Sequence, residues 1–332
     1  MTRYISDQNK TALLYESGTY ASTSGTGHWI GLVTDHTMSE TENQQQIRYT
    51  GTASRNVDKL TPTTKEVDGA ITFHPQDFKM LFFALGSNVD AGVGPYTHTM
   101  SEVNSDDGYA FTSGTLCPFA SFTIEDSQST CGTGNNFIRT VVGAMEDSYE
   151  LSWSEGEIAE STINYVAQDV SFSSGATTAL SEPSTPPFVS YQVKTHIPSG
   201  TVIDTVTEGT FTISNNTEKK FYNNGSRVTA APIPGNRDYE VSLTLNPTAT
   251  QTKTFYENYF RGGSEFNMML DVQDLVTVGA GSRSCFITLS GCKLDPMEAP
   301  SKNEGANEQT VTIIPKSVSA VATDSIPKYC PW

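Results

Sequence analysis

Histidine, cysteine and carboxylate side chains do most of the chemistry available near neutral pH, and their spacing here assembles none of the familiar reactive sets. The five histidines, His28, His36, His74, His98 and His196, are scattered. None forms H-x-x-x-H or H-E-x-x-H, the helical spacing that turns two imidazoles toward one metal. His74 stands where a helix N-cap belongs and reads as structural. No G-x-S-x-G elbow and no Gly-Lys-Ser/Thr phosphate loop occurs. Ser24-Gly25-Thr26-Gly27-His28 and Cys131-Gly132-Thr133-Gly134-Asn135 are Gly-rich, but they lack the lysine and the strand-to-helix setting of a phosphate cradle, so both read as turns. The acidic stretch Ser101 to Gly108 lacks EF-hand spacing and offers at most a weak cation site. With 37 Asp and Glu residues, pairs spaced for glycoside hydrolysis are guaranteed by number alone and none stands out. Cys117, Cys131, Cys285, Cys292 and Cys330 are odd in number and form no C-x-x-C, so free or buried thiols are expected rather than zinc or disulfides. The expectation is a protein that is not an enzyme, with no catalytic residue, no cofactor and no metal site.

The elements that would hold such groups are strands. Hydrophobic residues make up 36% of the 332 residues and charged residues only 17%, with Ser, Thr, Asn, Gln and Gly filling the difference. That mix suits twisted strands and turns. The length accommodates two domains of ordinary size. A net charge of −17 leaves little reason to grip nucleic acid, because such binding is driven by Lys and Arg displacing counterions from phosphate. The start, Met1 to Gln8, has no apolar core of a secretion signal, and the longest apolar run, Met80 to Leu85, is far too short for a membrane span. No membrane partner is expected.

Alternation is clearest from Val141 to Ser154. Met145, Tyr149, Leu151 and Trp153 share one face, with Asp147 the exception, while Glu146, Ser148, Glu150, Ser152 and Ser154 share the other. Glu155-Gly156-Glu157 reads as a turn. Ala159, Ile163, Tyr165 and Ala167 then alternate with Glu160, Thr162 and Asn164, which predicts a long antiparallel hairpin. Two helices are predicted, each following an alternating strand. One runs over Pro75 to Leu85, with Phe78, Leu81, Phe82 and Leu85 on a common face and Gly86 beyond its end. The other runs over Pro247 to Phe260, with Asn246 as N-cap and Gly262-Gly263 as its stop. Ser173 to Pro187, rich in Ser, Thr and Pro, cannot build a ladder and reads as a linker.

The two sides of that linker resemble each other. Ser54-Arg55 recurs as Ser226-Arg227, Pro75 as Pro247 and Phe83 as Phe255, each 172 residues on. Later the offset falls to 148: Gly143 matches Gly291, and Glu160 to Val166 parallels Glu308 to Ile314. The first half therefore carries 24 extra residues after its helix, for which the polar, Gly-rich stretch Asn88 to Ser113 is the natural place. An internal duplication follows. Residues 1–172 form a first module, 173–187 the linker and 188–332 a second module.

From Leu13 to Asp169 the chain resembles the tail tube proteins of tailed bacterial and archaeal viruses. The resemblance is carried, in order, by Leu14 to Tyr20, Trp29-Ile30-Gly31-Leu32, Ser54-Arg55 and the strand-helix unit Gly69 to Gly86. Tyr96-Thr97-His98-Thr99, Pro118 to Glu125, Val142 to Glu146 and Glu157 to Tyr165 complete it. It implies a mainly β fold: two tandem tail-tube-like β-sandwich modules, each with one flanking α-helix. It also implies a structural virion protein, the major tail tube subunit, assembled in the host cytoplasm and located in the virion tail. Its partners would be other tail proteins and copies of itself. Three two-module chains would close a homotrimeric, pseudo-sixfold ring, and stacked rings would conduct viral DNA during ejection without binding it specifically. The main rival is a surface adhesin or glycan-binding β-sandwich, which Ser/Thr-rich strands and acidic charge also suit.

On the tube reading, carboxylates and small hydroxyls should line the channel, repelling phosphate so that DNA slides. Glu146, Ser148, Glu150, Glu160, Thr162 and Asn164 on the polar face of the hairpin are the lumen-lining candidates. Glu240, with Ser242 and Thr244, is the second module's contribution.

Overall fold

The computed structural model describes residues 9–16, 20–49, 51, 55–103, 120–129, 136–274, 283–297 and 308–329. Ser54, Pro118-Phe119, the acidic run from Asn104, the Gly-rich run Cys131 to Asn135, and Cys117, Cys131 and Cys330 lie outside the described residues.

The chain is mainly β. In its first part come β1 (Lys10–Glu16), β2 (Thr23–His28), β3 (Leu32–Ile47), β4 (Lys59–His74), α1 (Lys79–Leu85), β5 (Gly86–Ala91), β6 (Tyr96–Glu102), β7 (Phe122–Gln128), β8 (Phe137–Ser154), β9 (Glu160–Ala167) and β10 (Asp169–Ser173). Beyond residue 187 come β11 (Val193–His196), β12 (Val202–Ile203), β13 (Val206–Ser214), β14 (Asp238–Leu245), α2 (Ala249–Thr254), which runs into a π-helical segment Phe255–Arg261, β15 (Phe266–Gln273), β16 (Ser284–Met297), β17 (Gln309–Ile314) and β18 (Ser317–Asp324).

Among the described residues the pairings between these strands are antiparallel and build three sheets. The first has the order β2-β1-β7-β8-β10. The second runs β3-β4-β9-β8-β13-β14-β17-β16. The third runs β12-β11-β15-β16-β18-β6-β5. The long strands β8 and β16 each serve two sheets, crossing from one to the other just past Gly143 and Gly291. Both glycines sit at φ +63°, in the left-handed region. A Cβ at Gly143 would lie 2.6 Å from the Tyr20 ring, so the corner needs glycine for space as well as for conformation.

Seven pairings in residues 10–173 recur, in the same chain order, in residues 193–324. They are β1–β2 with β11–β12, β1–β7 with β11–β15, β7–β8 with β15–β16, β8–β10 with β16–β18, β8–β9 with β16–β17, β4–β9 with β14–β17 and β3–β4 with β13–β14. Irregularities recur as well. Thr34 and Thr207 are the extra residues of matching bulges, and their hydroxyls donate to Thr72 O and Thr244 O, each at 3.1 Å. Among the described residues the hairpin β5–β6 has no counterpart. The stretch expected as an extra loop thus forms two strands at its start, and β6 pairs with β18 at the far end of the chain.

Both helices are shorter than the sequence suggests. The first begins at Lys79 rather than Pro75, because residues 75–77 are committed elsewhere. Pro75 O accepts Phe188 N, Gln76 Nε2 donates to Thr185 O, and Asp77 Oδ1 accepts Lys79 N. His74 caps no helix; it ends β4, with Nδ1 3.2 Å from Ala159 O. The second helix is capped by Thr248, in a reciprocal box with Gln251, rather than by Asn246. Its last turns widen to π geometry, with Phe255 buried and Tyr256 facing water at 45% exposure. Phe83 and Phe255 play similar parts: Phe83 packs edge-on against Phe122, and Phe255 leads through Tyr259 to Phe266.

Candidate functional site

The hairpin expected between Val141 and Ala167 forms, with β8 and β9 in register from Met145↔Val166 to Ser152↔Glu160. Period-two alternation buries Tyr149, Leu151, Trp153, Ser161, Ile163 and Tyr165 and turns Ser148, Glu150, Ser152, Glu160, Thr162 and Asn164 to the opposite face. Asn164 Nδ2 donates to Ser148 Oγ at 2.8 Å, and the Thr72 and Thr162 hydroxyls meet at 3.2 Å.

That face does not stop at the hairpin. The second sheet carries it across β13 and β14. Thr72, Thr162, Glu150, Thr212 and Glu240 stand side by side in one row. Glu160, Ser152, Thr210, Ser242 and Thr312 form the next. Carboxylates and small hydroxyls fill both rows, with no lysine or arginine. Glu240, Ser242 and Thr244, from the far half of the chain, therefore share one continuous surface with Ser148, Glu150, Glu160, Thr162 and Asn164. A concavity of about 530 Å³ lies on it, bordered by His74, Glu157, Glu160 and Glu208.

Glu146 is the exception, and it corrects the expectation that it shares this face. The ladder shifts between Glu146 and Ser148, so Asp147 is the extra residue of a bulge. Strict alternation holds on each side of the bulge but not through it. Glu146 pairs with Tyr165 on the core side, is fully buried, and both its carboxylate oxygens lack a partner among the described residues. Burial raises its pKa well above the usual carboxylate range, favouring the protonated acid inside the core. The corresponding position of β16 is Leu294, paired with Ile313 beside a bulge of its own. Glu146→Leu should therefore stabilise the fold at pH 7 by about 1–3 kcal/mol, the cost of an unsatisfied buried polar group. The sign with pH follows from the raised folded-state pKa. The unfolded chain releases this proton near pH 4.3 and the folded chain holds it to higher pH, so wild type loses stability as pH rises above that point. Urea midpoints at pH 5 and pH 8 would show the gap between variant and wild type widening with pH; a constant gap would refute the assignment.

Asp147 has a role that sequence reasoning missed, although the break in alternation marked it. Its carbonyl accepts Asn215 N and its Oδ1 accepts Thr217 N, both at 2.7 Å, holding the turn after β13 against β8. Asn215 Nδ2 in turn donates to Glu146 O and Ala84 O, and Arg237 Nε donates to Asn215 Oδ1 at 2.8 Å. Seven residue pairs, Ser148↔Ser214 to Ser154↔Glu208, complete this joint between the halves.

Other reactive groups serve the fold. His98 lies between Asp90 and Asp324 and under the Tyr329 ring. Cys285 and Cys292 are free and buried, and burial pushes the Cys292 thiol up to about 11. Among the described residues no three His, Cys, Asp or Glu side chains converge as a metal set, and no helix is long and apolar enough to cross a membrane.

A family model described as phage tail tube protein matches residues 9–316. No curated protein sequence matches the chain.

Proposed function

We propose that this chain, which belongs to the phage tail tube protein family, closes with copies of itself into rings that stack as a conduit for viral DNA. Membership makes it a structural component of the virion tail, self-assembling with other tail proteins. The finer reading is a chain of two tandem β-sandwich modules, residues 1–172 and 188–332, of which three chains fill six equivalent places in a ring assembled in the host cytoplasm.

The observation that carries it is the eight-stranded second sheet. It draws four strands from each half, joins them through β8–β13, and turns one acidic, hydroxyl-bearing face outward. The seven recurring pairings support two equivalent modules. A sheet with one packed and one wet face can line a channel, and heterologous contacts that close by rotation remove its edges. DNA carries one charge per about 1.7 Å of axis, so a lumen of carboxylates repels phosphate where one of Lys and Arg would grip it. Screening over about 8 Å at physiological salt means only acids close to the channel act in this way, which suits side chains borne directly on the lining strands.

Electron microscopy of the purified, assembled protein tests this. The expected result is threefold rings stacked into tubes, with Glu150, Glu160, Thr162 and Glu240 facing the channel. A monomer at high concentration, a ring of six chains, or a channel lined by basic residues would defeat it. Sugar affinity in a monomer would favour the adhesin reading.

A further inference from the structure

The second sheet ends at β3 on one side and β16 on the other, and among the described residues neither outer edge is paired. Each has a paired counterpart inside the chain. β16 corresponds to β8 through Gly143 and Gly291, and both strands carry a bulge a few residues later. In β8 the ladder resumes after Asp147; in β16 it breaks between Leu294 and Met297, and the residue at the corresponding place is Asp295. β3 corresponds to β13 through the bulges at Thr34 and Thr207, and seven residues beyond each lie Thr41 and Ser214. The Asp147 carboxylate and carbonyl are used up by the turn after β13. Asp295 is exposed, with no hydrogen-bond or ion-pair partner among the described residues.

We infer that Asp295 is the register hook of the joint between chains: β16 of one copy pairs antiparallel with β3 of a second copy, and Asp295 accepts backbone N–H groups there as Asp147 does within the chain. The register follows from the internal joint. Ser148 faces Ser214, so position 296 faces Thr41 of the neighbouring copy. Asn215 N reaches the Asp147 carbonyl, so Glu42 N is the matching donor to the Asp295 carbonyl; Thr217 N reaches the Asp147 carboxylate, so Gln44, across the irregularity that follows Glu42, stands where a donor to the Asp295 carboxylate belongs. Between Thr34 and Glu42 the ladder to β4 has no further irregularity, so Glu42 keeps the same phase and its N–H points away from β4. Uncovered strand edges invite pairing in any register, and a charged acceptor beside a bulge selects one of them. The inference rests on the ring proposed above and adds which edges meet, in what sense and at which residue.

The test uses the full chain. Asp295→Ala should leave the thermal stability of the unassembled protein unchanged, because the side chain is exposed and has no partner among the described residues. It should raise the concentration at which rings form about tenfold or more. Asp295→Asn keeps an acceptor oxygen and should assemble closer to wild type than Asp295→Ala. The double variant Thr41→Cys/Pro296→Cys, oxidised after assembly, should give a covalent closed trimer that neither single variant gives. Rings that form in the double variant without that cross-link, or Asp295→Ala assembling at the wild-type concentration, would overturn the joint and leave the tube reading standing. Failure of wild type to form rings at any concentration would overturn both.

Discussion

Arg283→Ala should destabilise the protein by about 3–5 kcal/mol, because it strands a buried carboxylate. Arg283 and Asp274 are both nearly inaccessible and meet in a two-pronged contact, Nε to Oδ2 at 2.6 Å and Nη2 to Oδ1 at 2.9 Å. The remaining donors tie three regions together: Nη1 gives to Gln76 O just before α1, and Nη2 also gives to Pro186 O in the linker, both at 2.8 Å. The guanidinium lies 4.5 Å over the Phe188 ring. A lysine has neither the planar fork nor enough donors for these positions, so Arg283→Lys should recover little. Urea unfolding of Arg283→Ala, Asp274→Ala and the double variant reads the coupling. The double variant should be clearly more stable than the sum of the single effects allows; simple additivity would mean the pair is not coupled.

His98→Leu should cost a similar amount and should also remove a pH dependence. His98 is fully buried, with Nδ1 2.6 Å from Asp90 Oδ1 and Nε2 3.1 Å from Asp324 Oδ1, and Tyr329, stacked 3.7 Å away, donates to the other Asp324 oxygen. Burial opposes the imidazolium, but the hydrogen bonds to Asp324 and then Asp90 outweigh it and raise its pKa to about 9. A raised folded-state pKa stabilises the fold fully below the unfolded value of 6.5, and the contribution is lost as pH climbs through 9. The span corresponds to about 3 kcal/mol. Wild type should therefore weaken steadily between pH 6.5 and 9 in urea titrations. His98→Leu, with two carboxylates left facing an apolar side chain, should start about 3–5 kcal/mol lower and change far less over that window. A wild-type midpoint that does not move between pH 6 and pH 9 would rule out the charged clamp.

What could be read in the sequence was what repeats at short range. The alternation of Tyr149, Leu151 and Trp153 with Ser148, Glu150 and Ser152 is a direct imprint of a half-buried strand. The hairpin, its turn and most of the polar face follow from it. Glu146 departs from the alternation because one bulged residue reverses the side-chain sense, and nothing in a two-residue period reports an insertion except a misfit such as Asp147. The β8–β13 joint was invisible for another reason. An edge strand looks the same in sequence whether its partner is another chain or the far half of its own. The His98 clamp joins residues 226 apart, and the Arg283 contacts reach 207 residues away to Gln76; only the folded chain brings either together. α1 starts later than the sequence pattern implies, because Pro75, Gln76 and Asp77 satisfy the helix-start pattern while their polar groups are used by Phe188, Thr185 and Lys79.

The eight-stranded second sheet also fixes a gauge. Neighbouring strands lie about 4.8 Å apart, so eight of them span roughly 38 Å of arc per chain, and three chains in the proposed ring give a circumference of roughly 115 Å. That makes a bore of about 37 Å between backbones, and strand tilt widens it. Calibre is then a matter of counting strands. In the proposed ring, a substitution on the polar face would change the charge that passing DNA meets, or narrow the passage by a side chain's length, but at a given strand tilt the backbone diameter changes only when a strand is gained or lost. Because β8 and β13 lock the halves into one hydrogen-bonded arc, each chain of the proposed ring would contribute its third of the circumference as an indivisible unit.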